Sequence, residues 1–338
     1  MGADLLRFFK IRQAKLSPAV SFILFKEAAP MKRNNTAGFC TVTCLIAAVC
    51  WGFSGTCGQY LFQIKGVNAS WLTAVRMLSS GIILLIINLV VARRELLALL
   101  RCGRDLLIAV AFALLGILVS QYCYLTAIQY SNSGTATVLQ YLGPVFIMLI
   151  VCIKELRLPR KKEILALVCA VGGTFLLATH GNIHSLMISR QALVWGLLSA
   201  VGLVLYTMIP TGLLPKYGSL PVTGLAMIIG AVPLAAVVKP WTFEISMDFP
   251  FFLAMVGIVV VGTVIAYTLF IYSLKGIGPE RASLTSCLEP VSATAFSALW
   301  LKTAFGAIDL VGFACILGAI VILTDFKAMN SSRVPDDV

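Results

Sequence analysis

Ten apolar runs follow one another along this chain of 338 residues, and only short gaps separate them. A helix needs roughly 20 mostly apolar residues to cross a bilayer. Inside lipid the backbone must bond to itself, so each run is predicted to be a helix. We therefore predict an all-α polytopic membrane protein with ten transmembrane helices. The predicted spans are residues 38–62, 71–91, 106–130, 134–153, 164–179, 192–210, 222–238, 251–275, 281–301 and 307–324.

The composition agrees with a membrane protein. Hydrophobic residues make up 59% of the chain and charged residues 12%, whereas a soluble domain carries about 25% charged residues. A soluble protein of this length has too much surface to keep so many apolar side chains from water. The net charge is +12, and the basic residues that produce it lie mostly in the short gaps between runs and at the ends of the chain. We ascribe it to membrane topology and expect no nucleic-acid partner.

The distribution of basic residues predicts the topology. If the N-terminus lies in the cytoplasm and ten spans alternate, 21 of the 26 lysines and arginines fall on the cytoplasmic side and 4 fall outside. Cytoplasmic loops are enriched in these residues. We therefore predict a multi-pass protein of the plasma membrane with both termini in the cytoplasm.

The two ends of the chain are predicted to lie outside the spans. Residues 1–37 form a basic N-terminal arm, and Met31-Lys32-Arg33 resembles a natural start. Residues 1–30 are therefore either a mis-called upstream start or a weakly amphipathic arm lying on the membrane. Residues 326–338 are predicted to be a cytoplasmic tail.

The chain contains an internal repeat at an offset of 146 residues. Tyr124-Leu125-Thr126-Ala127-Ile128 matches Phe270-Ile271-Tyr272-Ser273-Leu274, and Pro144 matches Pro290. We predict two five-span repeats, residues 38–180 and 190–325. Because five is odd, the second repeat enters the membrane from the opposite face. Inverted repeats of this kind are common in transporters.

Metal and cofactor chemistry has little support in the sequence. The ten cysteines form no C-x-x-C pair, and most lie inside apolar runs. His180 and His184 lie in a predicted outer loop, and two ligands do not make a metal site. The P-loop pattern of ATP sites does not occur. We predict no metal site and no cofactor.

Two charged residues inside predicted spans are the first binding candidates. Glu289 lies near the middle of the ninth span, where a charged acid costs roughly 2.5–3.5 kcal/mol. It either binds a cationic group or exchanges a proton during transport. The alternative is a neutral carboxyl bonded to backbone that Pro290 frees. Arg76 either attracts an anionic substrate or extends to the lipid headgroups.

Polar and aromatic residues within the spans complete the candidate set. They are Trp51, Gln121, Tyr124, Gln140, Tyr141, Tyr206, Tyr267 and Ser286. Single aromatic residues of this kind also serve as packing or as an interfacial belt. Pro144 and Pro290 are predicted to kink their helices, with a role as a gate. Gly52, Gly172 and Gly173 are interpreted as sites of close helix approach.

Several motifs resemble the EamA-domain family of the drug/metabolite transporter superfamily. They are Ala47-Ala48-Val49-Cys50-Trp51-Gly52, Leu72-Thr73-Ala74-Val75-Arg76, the segment from Tyr124 to Asn132, Gly143-Pro144 followed by Lys154-Glu155, Val171-Gly172-Gly173-Thr174-Phe175-Leu176, Ser273-Leu274-Lys275, Arg281-Ala282-Ser283, Leu288-Glu289-Pro290-Val291, Gly312 and Gly318. The resemblance covers about residues 38–325. One departure is Lys302, which lies near the position of the family's glutamate after span nine, so that glutamate's role is not carried over.

The resemblance implies ten helices around a central cavity that works by alternating access. It implies substrates among amino acids, other metabolites and drugs, often exported. We predict a secondary transporter of a small molecule that acts in the lipid bilayer with a proton or another coupling ion. The alternatives are a membrane-embedded enzyme that acts on a lipid-linked or small substrate, and a channel.

Overall fold

The computed structural model describes residues 36–154, 156–179 and 188–323, and the regular elements within these ranges are helices. The N-terminal arm up to residue 35, Glu155, His180, His184 and the predicted tail lie outside the described residues. The elements are α1 (Thr36–Gln63), α2 (Ala69–Val91), α3 (Arg93–Arg101), α4 (Gly103–Tyr130), α5 (Ser133–Lys154), α6 (Lys161–Thr179), α7 (Arg190–Met208), α8 (Ser219–Val238), α9 (residues 249–286), α10 (Leu288–Leu301) and α11 (Ala307–Leu323).

Seven helices in the described ranges are long and apolar enough to cross a membrane, and Ala307–Ile322 is a shorter apolar helix. Many apolar side chains point outward, including Ile86, Val237 and Leu253, each more than half exposed. Apolar side chains exposed in this number are stable in lipid rather than in water. The predicted all-helical membrane class is confirmed.

Side-chain caps fix where several helices begin. Asn68, Asn132, Ser189 and Asp248 precede α2, α5, α7 and α9, and each accepts a hydrogen bond from a backbone N–H of the first turn. These N–H groups have no partner inside the helix. A side-chain oxygen at the N-cap supplies one. The short polar gaps in the sequence therefore contain the residues that cap the start of the next helix.

The predicted gap between the second and third spans is partly helical. It contains α3, whose Leu96 and Leu99 are buried while Arg93, Arg94 and Arg101 are exposed. Residues three apart share a helix face, so the two leucines attach α3 to the bundle. The helix is too short to span a bilayer.

Helix breaks occur at equivalent places in the two halves. Helix α5 consists of Ser133–Gln140 and Gly143–Lys154, with a turn at Tyr141 and Leu142. A second turn, at Cys287, separates Ala266–Ser286 from α10. Pro144 and Pro290 follow these turns closely, and proline removes one helical hydrogen bond. Residues 141 and 287 are 146 positions apart.

A second irregularity recurs at the same offset. Phe112–Leu118 within α4 and Gly257–Ile265 within α9 are π-helical. Such segments are rare and are frequently found at functional sites. Residues 112–118 shifted by 146 positions become 258–264, which fall inside the second segment. The repeat seen in the sequence is therefore also present in the irregular backbone geometry.

The sequence predicts a gap between spans eight and nine, at residues 276–280. This prediction is wrong, because these residues are helical. Helical backbone runs through Ala266–Ser286. The Cys44 thiol lies 3.5 Å from the Ala282 carbonyl oxygen and is also close to Ser273. A straight helix would separate residues nine apart by about 13 Å. The helical path therefore bends between Ser273 and Ala282.

The strongest helix contacts join the first half of the chain to the second. Helix α2 packs on α8, α6 on α11, α4 on α7, and α1 on both α9 and α10. Small residues permit these approaches: a Cβ on Gly173 would lie 2.7 Å from the Gly312 carbonyl oxygen, and one on Gly52 would lie 2.7 Å from the Ala293 nitrogen. Gly172 faces open space, so its interpretation as a close-approach site is wrong.

Candidate functional site

A cavity of about 580 Å³ lies inside the helical bundle. Small-molecule sites commonly occupy 300–1,000 Å³. At one end the cavity is bordered by exposed Leu214 and half-buried Ser219, between α7 and α8. The lining residues are Trp51, Arg76, Phe112, Ile117, Ser120, Gln121, Tyr124, Gln140, Tyr141, Pro144, Ile147, Leu203, Tyr206, Thr207, Pro210, Leu214, Ser219, Thr223, Tyr267, Phe270, Ser286 and Glu289.

The structure brings the sequence candidates together around this cavity. Its lining includes the charged pair Arg76 and Glu289, and Pro144 of the break in α5. The other candidates on the lining are Trp51, Gln121, Tyr124, Gln140, Tyr141, Tyr206, Tyr267 and Ser286. Pro290 is buried and is not among the lining residues. Its effect on the cavity comes through the backbone that it interrupts.

Sequence reasoning missed several lining residues, including Phe112, Ser120, Thr207 and Thr223. The Thr207 hydroxyl donates a hydrogen bond to the Leu203 carbonyl oxygen of its own helix. A hydroxyl bonded in this way is tolerated against lipid or a neighbouring helix as well as in a cavity. Nothing in the sequence distinguishes these three environments. Phe112 carries an even weaker signal, because phenylalanine is common throughout the apolar runs.

Arg76 is the buried cation of the cavity. It lies on α2, near its start, and its residue surface is only 6% exposed. Glu289, Tyr124 and Tyr267 are close enough to interact with it electrostatically. Within the described residues its guanidinium forms no hydrogen bond, and no carboxylate oxygen lies within 4.0 Å of it. The side chain faces the cavity and does not extend to the protein surface.

Glu289 occupies the start of a helix rather than its middle. It lies in the first turn of α10, directly after the break at Cys287. The N-terminus of a helix carries partial positive charge, which favours a carboxylate there. Glu289 Oε2 lies 3.1 Å from the Tyr141 hydroxyl. The carboxyl group is therefore held by a residue from the break in α5.

Tyr141 also repairs the backbone that Pro290 interrupts. In a regular helix the N–H of residue 290 would bond to the carbonyl oxygen of residue 286. Proline has no N–H, and the Tyr141 hydroxyl lies 2.7 Å from this Ser286 oxygen. The freed backbone oxygen is thus satisfied by tyrosine and not by Glu289. The alternative in which Glu289 serves as its partner is wrong.

Aromatic rings form one wall of the cavity. The ring centroids of Trp51 and Tyr267 are 5.4 Å apart, and those of Trp51 and Phe270 are 5.1 Å apart. Phe112 and Tyr206, which also line the cavity, have ring centroids 5.5 Å apart. Ring pairs at these distances stabilise each other and hold their orientation. All five aromatic side chains are on the cavity lining, so much of it is apolar.

The polar groups around this wall are connected to one another. Tyr267 lies close to Tyr206 and Gln121. Tyr124 and Thr137 are joined through their oxygen atoms at 2.8 Å. Buried polar groups are costly without partners. These contacts set the orientation of the tyrosine hydroxyls around the cavity.

A second polar group, the Gln59 cluster (Thr56, Gln59, Ser133, Ser297 and Thr303), lies about two turns farther along α1 from Trp51. Gln59 Oε1 accepts from the Ser133 N–H at 2.9 Å and from the Ser297 hydroxyl at 2.7 Å. Gln59 Nε2 donates to Thr303 Oγ1 at 2.9 Å. Gln59, Ser133 and Ser297 are fully buried, and none of them borders the cavity. This cluster joins α1, α5 and α10.

Two consecutive parts of the chain, residues 38–179 and 190–325, match the model of the EamA-like transporter family. The chain belongs to this family. The EamA-family chain is 35% identical over 280 residues to the uncharacterized inner membrane transporter YicL of Salmonella typhimurium (strain LT2), covering 83% of this chain and 93% of that protein.

A solved crystal structure also resembles this EamA-family chain. It superposes with a TM-score of 0.56 at 18% identity, over 84% of this chain and 96% of the other. At that identity the likeness shows the fold alone. The family and the relative identify the chain as a membrane transporter. Within residues 36–154, 156–179 and 188–323, no group of three histidine, cysteine, aspartate or glutamate side chains is placed to hold a metal ion.

Proposed function

We propose that this chain is a secondary transporter that exports a small metabolite, such as an amino acid or a drug-like compound, across the plasma membrane by alternating access. The observation that carries the proposal is the cavity of about 580 Å³ between helices of the two family-matched parts, with Arg76 and Glu289 on its wall. Charged residues inside a membrane bundle mark substrate and ion pathways.

The proposed architecture has ten spans in two inverted repeats, residues 38–180 and 190–325, with both termini in the cytoplasm. The repeated break and the repeated π-helical segment support it. The helix contacts support it too, because α4 with α7 corresponds to α9 with α1 when the halves are exchanged. Two inverted copies exchange conformations to open the site to either side in turn.

Glu289 is the proposed coupling residue. Its carboxyl group faces the cavity, at the helix break where α10 begins, and Tyr141 is its hydrogen-bonding partner. A carboxyl group at a wet intramembrane site is able to take up and release a proton or to bind a cation. In this mechanism the Tyr141 bond holds the carboxyl while the cavity faces one side. The charge state of Glu289 then biases which side is open.

Flux through purified, reconstituted protein tests the function. Proteoliposomes are assayed with labelled amino acids, organic acids and cationic dyes, with and without a pH gradient, against protein-free liposomes. We expect saturable flux that is accelerated by unlabelled substrate on the opposite side. Flux that neither saturates nor shows this acceleration would favour a channel. A chemically altered substrate would favour an enzyme.

The Glu289→Gln variant tests the coupling role. We expect exchange between equal substrate pools to survive while uphill movement driven by a pH gradient is lost. Glu244→Gln is the matched control, because Glu244 is exposed in the connection between α8 and α9. If Glu289→Gln keeps both the rate and the pH dependence of the unmodified protein, Glu289 is not the coupling residue.

Topology is tested independently of transport. Reporter fusions at residue 160 and at the C-terminus should both report the cytoplasm, and a fusion at residue 239 should report the outer side. A result that places residue 160 and the C-terminus on opposite sides would exclude the inverted repeat.

A further inference from the structure

Among the described residues, no acceptor bonds to one strong hydrogen-bond donor in the cavity wall. Arg76 is more than nine-tenths buried and lines the cavity. A guanidinium presents five N–H donors in a fixed plane. In the described part of the chain none of them bonds to a protein acceptor, although Arg76 interacts electrostatically with Glu289. Buried charged groups are normally paired, because removing them from water is costly.

Glu289 is the natural partner within the cavity, but its contacts hold it elsewhere. Its Oε2 atom lies 3.1 Å from the Tyr141 hydroxyl, whose single proton is shared with the Ser286 backbone oxygen at 2.7 Å. These bonds tie Glu289 to the break at the start of α10, and its carboxylate stays more than 4.0 Å from the guanidinium. Space therefore remains beside Arg76 for an acceptor that is not part of the protein.

A carboxylate is the acceptor that best fits this space. Its two oxygens match the planar fork of a guanidinium and form two parallel charge-assisted hydrogen bonds. A lysine ammonium lacks that fork, so the geometry selects for arginine at this position. The rest of the ligand would meet the aromatic wall of Trp51, Tyr267 and Phe270. A lining of aromatic side chains favours an aromatic or aliphatic body over a polar one.

We propose that Arg76 binds the anionic group of the transported molecule, and that the substrates are organic acids with an apolar or aromatic body. This inference rests on the proposed transport function, because it assumes that the cavity is the substrate site. It makes Arg76 the residue that selects for charge. The aromatic wall then selects for the shape of the uncharged part.

Binding to the purified full-length chain tests the proposal without measuring transport. Three probes with the same body differ in charge: 3-phenylpropionate, 3-phenylpropanamide and 3-phenylpropylamine. We expect the acid to raise the unfolding temperature in detergent in a saturable manner, and the amide and amine to leave it unchanged. If the amide binds as well as the acid, or the amine binds in preference to it, the proposal is overturned. Failure of the acid to bind at millimolar concentration also overturns it.

Substitutions assign the binding to Arg76. Arg76→Gln removes the charge, and Arg76→Lys keeps the charge but loses the fork. We expect the dissociation constant for 3-phenylpropionate to rise about tenfold in Arg76→Lys and at least about a hundredfold in Arg76→Gln. Arg101→Gln is the matched control, since Arg101 is exposed on α3; its affinity should be unchanged. If Arg76→Gln fails to fold, Arg76→Lys still decides the question, because unchanged affinity there contradicts bidentate binding.

The result is separable from the test of the transport function. Saturable flux of cations or neutral molecules, with no binding of the acid, would retain the transporter and reject this substrate class. Binding of the acid through Arg76 without flux of any substrate would retain the anion site and reject the transport function. Flux of 3-phenylpropionate that is lost in Arg76→Gln and kept in Arg101→Gln would support both.

Discussion

The cavity and the Gln59 cluster are two polar regions that both include residues of α1. They differ in whether their polar groups have hydrogen-bonding partners within the protein. In the Gln59 cluster, the glutamine amide bonds to Ser133, Ser297 and Thr303. In the cavity, the larger and charged Arg76 has no protein acceptor among the described residues. A satisfied buried network makes a structure rigid and specific. An unsatisfied charge facing a cavity leaves binding capacity for a ligand.

The difference also separates two ends of the molecule. The Gln59 cluster joins α1, α5 and α10 near the C-terminal end of α1. The cavity includes Trp51, about two turns nearer the start of α1, and extends toward Leu214 and Ser219. Alternating access requires one end to be closed while the other is open. If this contrast holds, substitutions in the Gln59 cluster should cost more stability than substitutions on the cavity wall.

The largest expected loss of stability follows from Gln59→Leu. Leucine fills similar space but leaves the buried Ser133 N–H without its acceptor, removes the donor to Thr303 Oγ1, and leaves the Ser297 hydroxyl with Thr303 alone. Each buried unsatisfied group costs about 1–3 kcal/mol. We expect a loss on the order of 3 kcal/mol, measured as a lower unfolding temperature in detergent.

Gln63→Leu serves as the matched control for that variant. Gln63 is exposed, and its Oε1 accepts one bond from Gln59 Nε2 at 3.2 Å. Its substitution should lower the unfolding temperature far less. Equal effects from the two variants would show that the buried cluster is no more important than the exposed end of α1.

A second, smaller loss is expected from Gly52→Ala, which tests the helix contact beside the cluster. The new Cβ would lie 2.7 Å from the backbone nitrogen of Ala293, so α1 and α10 must separate. Overpacking of this kind costs about 1–3 kcal/mol. Gly172→Ala is the control, because its Cβ meets nothing within 4 Å and alanine favours the helix by about 1 kcal/mol. The two glycine variants should therefore shift thermal unfolding in opposite directions, and a shift of the same sign would contradict the helix contact.

The sequence predicted the helical class and part of the cavity lining because lipid imposes simple requirements. A charge or an amide inside an apolar run must face a wet or protein-lined space, and this predicted that Glu289, Gln121 and Gln140 face inward. Helix limits were also predictable, because caps such as Asn132 and Asp248 stand at the ends of the runs.

What the sequence missed depends on contacts between distant residues. The π-helical segments have no local signal in Phe112–Leu118 or Gly257–Ile265. The role of Tyr141 depends on a break 145 residues away at Ser286. The Gln59 cluster was not predicted either. Gln59 is one more polar residue at the end of a span, and its distant partners lie in α5, in α10 and in the connection after α10.

Tyr141→Phe tests the link between the two helix breaks, with an effect smaller than that of Gly52→Ala. The ring still packs, but the Ser286 carbonyl oxygen loses its hydroxyl donor and Glu289 loses a hydrogen bond. A typical hydrogen bond contributes about 0.5–1.5 kcal/mol. We expect a loss within that range in thermal unfolding. Tyr130→Phe, on an exposed tyrosine, is the control. No difference between the two variants would mean that the cavity side of the breaks is not held by Tyr141.

The smallest effect is expected at the surface ion pair between Lys65 and Asp248, which links the α1–α2 connection to the start of α9. The hydrogen bond from Lys65 holds the pKa of Asp248 below its usual value. A lowered pKa stabilises the fold above the unfolded value of about 3.9, and that contribution is lost as the pH falls below it.

Asp248→Asn isolates the charge of this pair, because asparagine also caps a helix and should keep the bond from the Phe251 N–H. We expect little change in unfolding temperature near neutral pH, because exposed ion pairs contribute little. The fall in unfolding temperature between pH 6 and pH 3 should be smaller in the variant. Glu244→Gln removes an exposed acid from the same connection and should keep the full pH dependence. Asp248→Asn could instead destabilise the protein as much as Gln59→Leu. Surface charge would then contribute as much to stability as the buried cluster. The contrast between satisfied and unsatisfied polar groups would not explain which parts of the bundle are rigid.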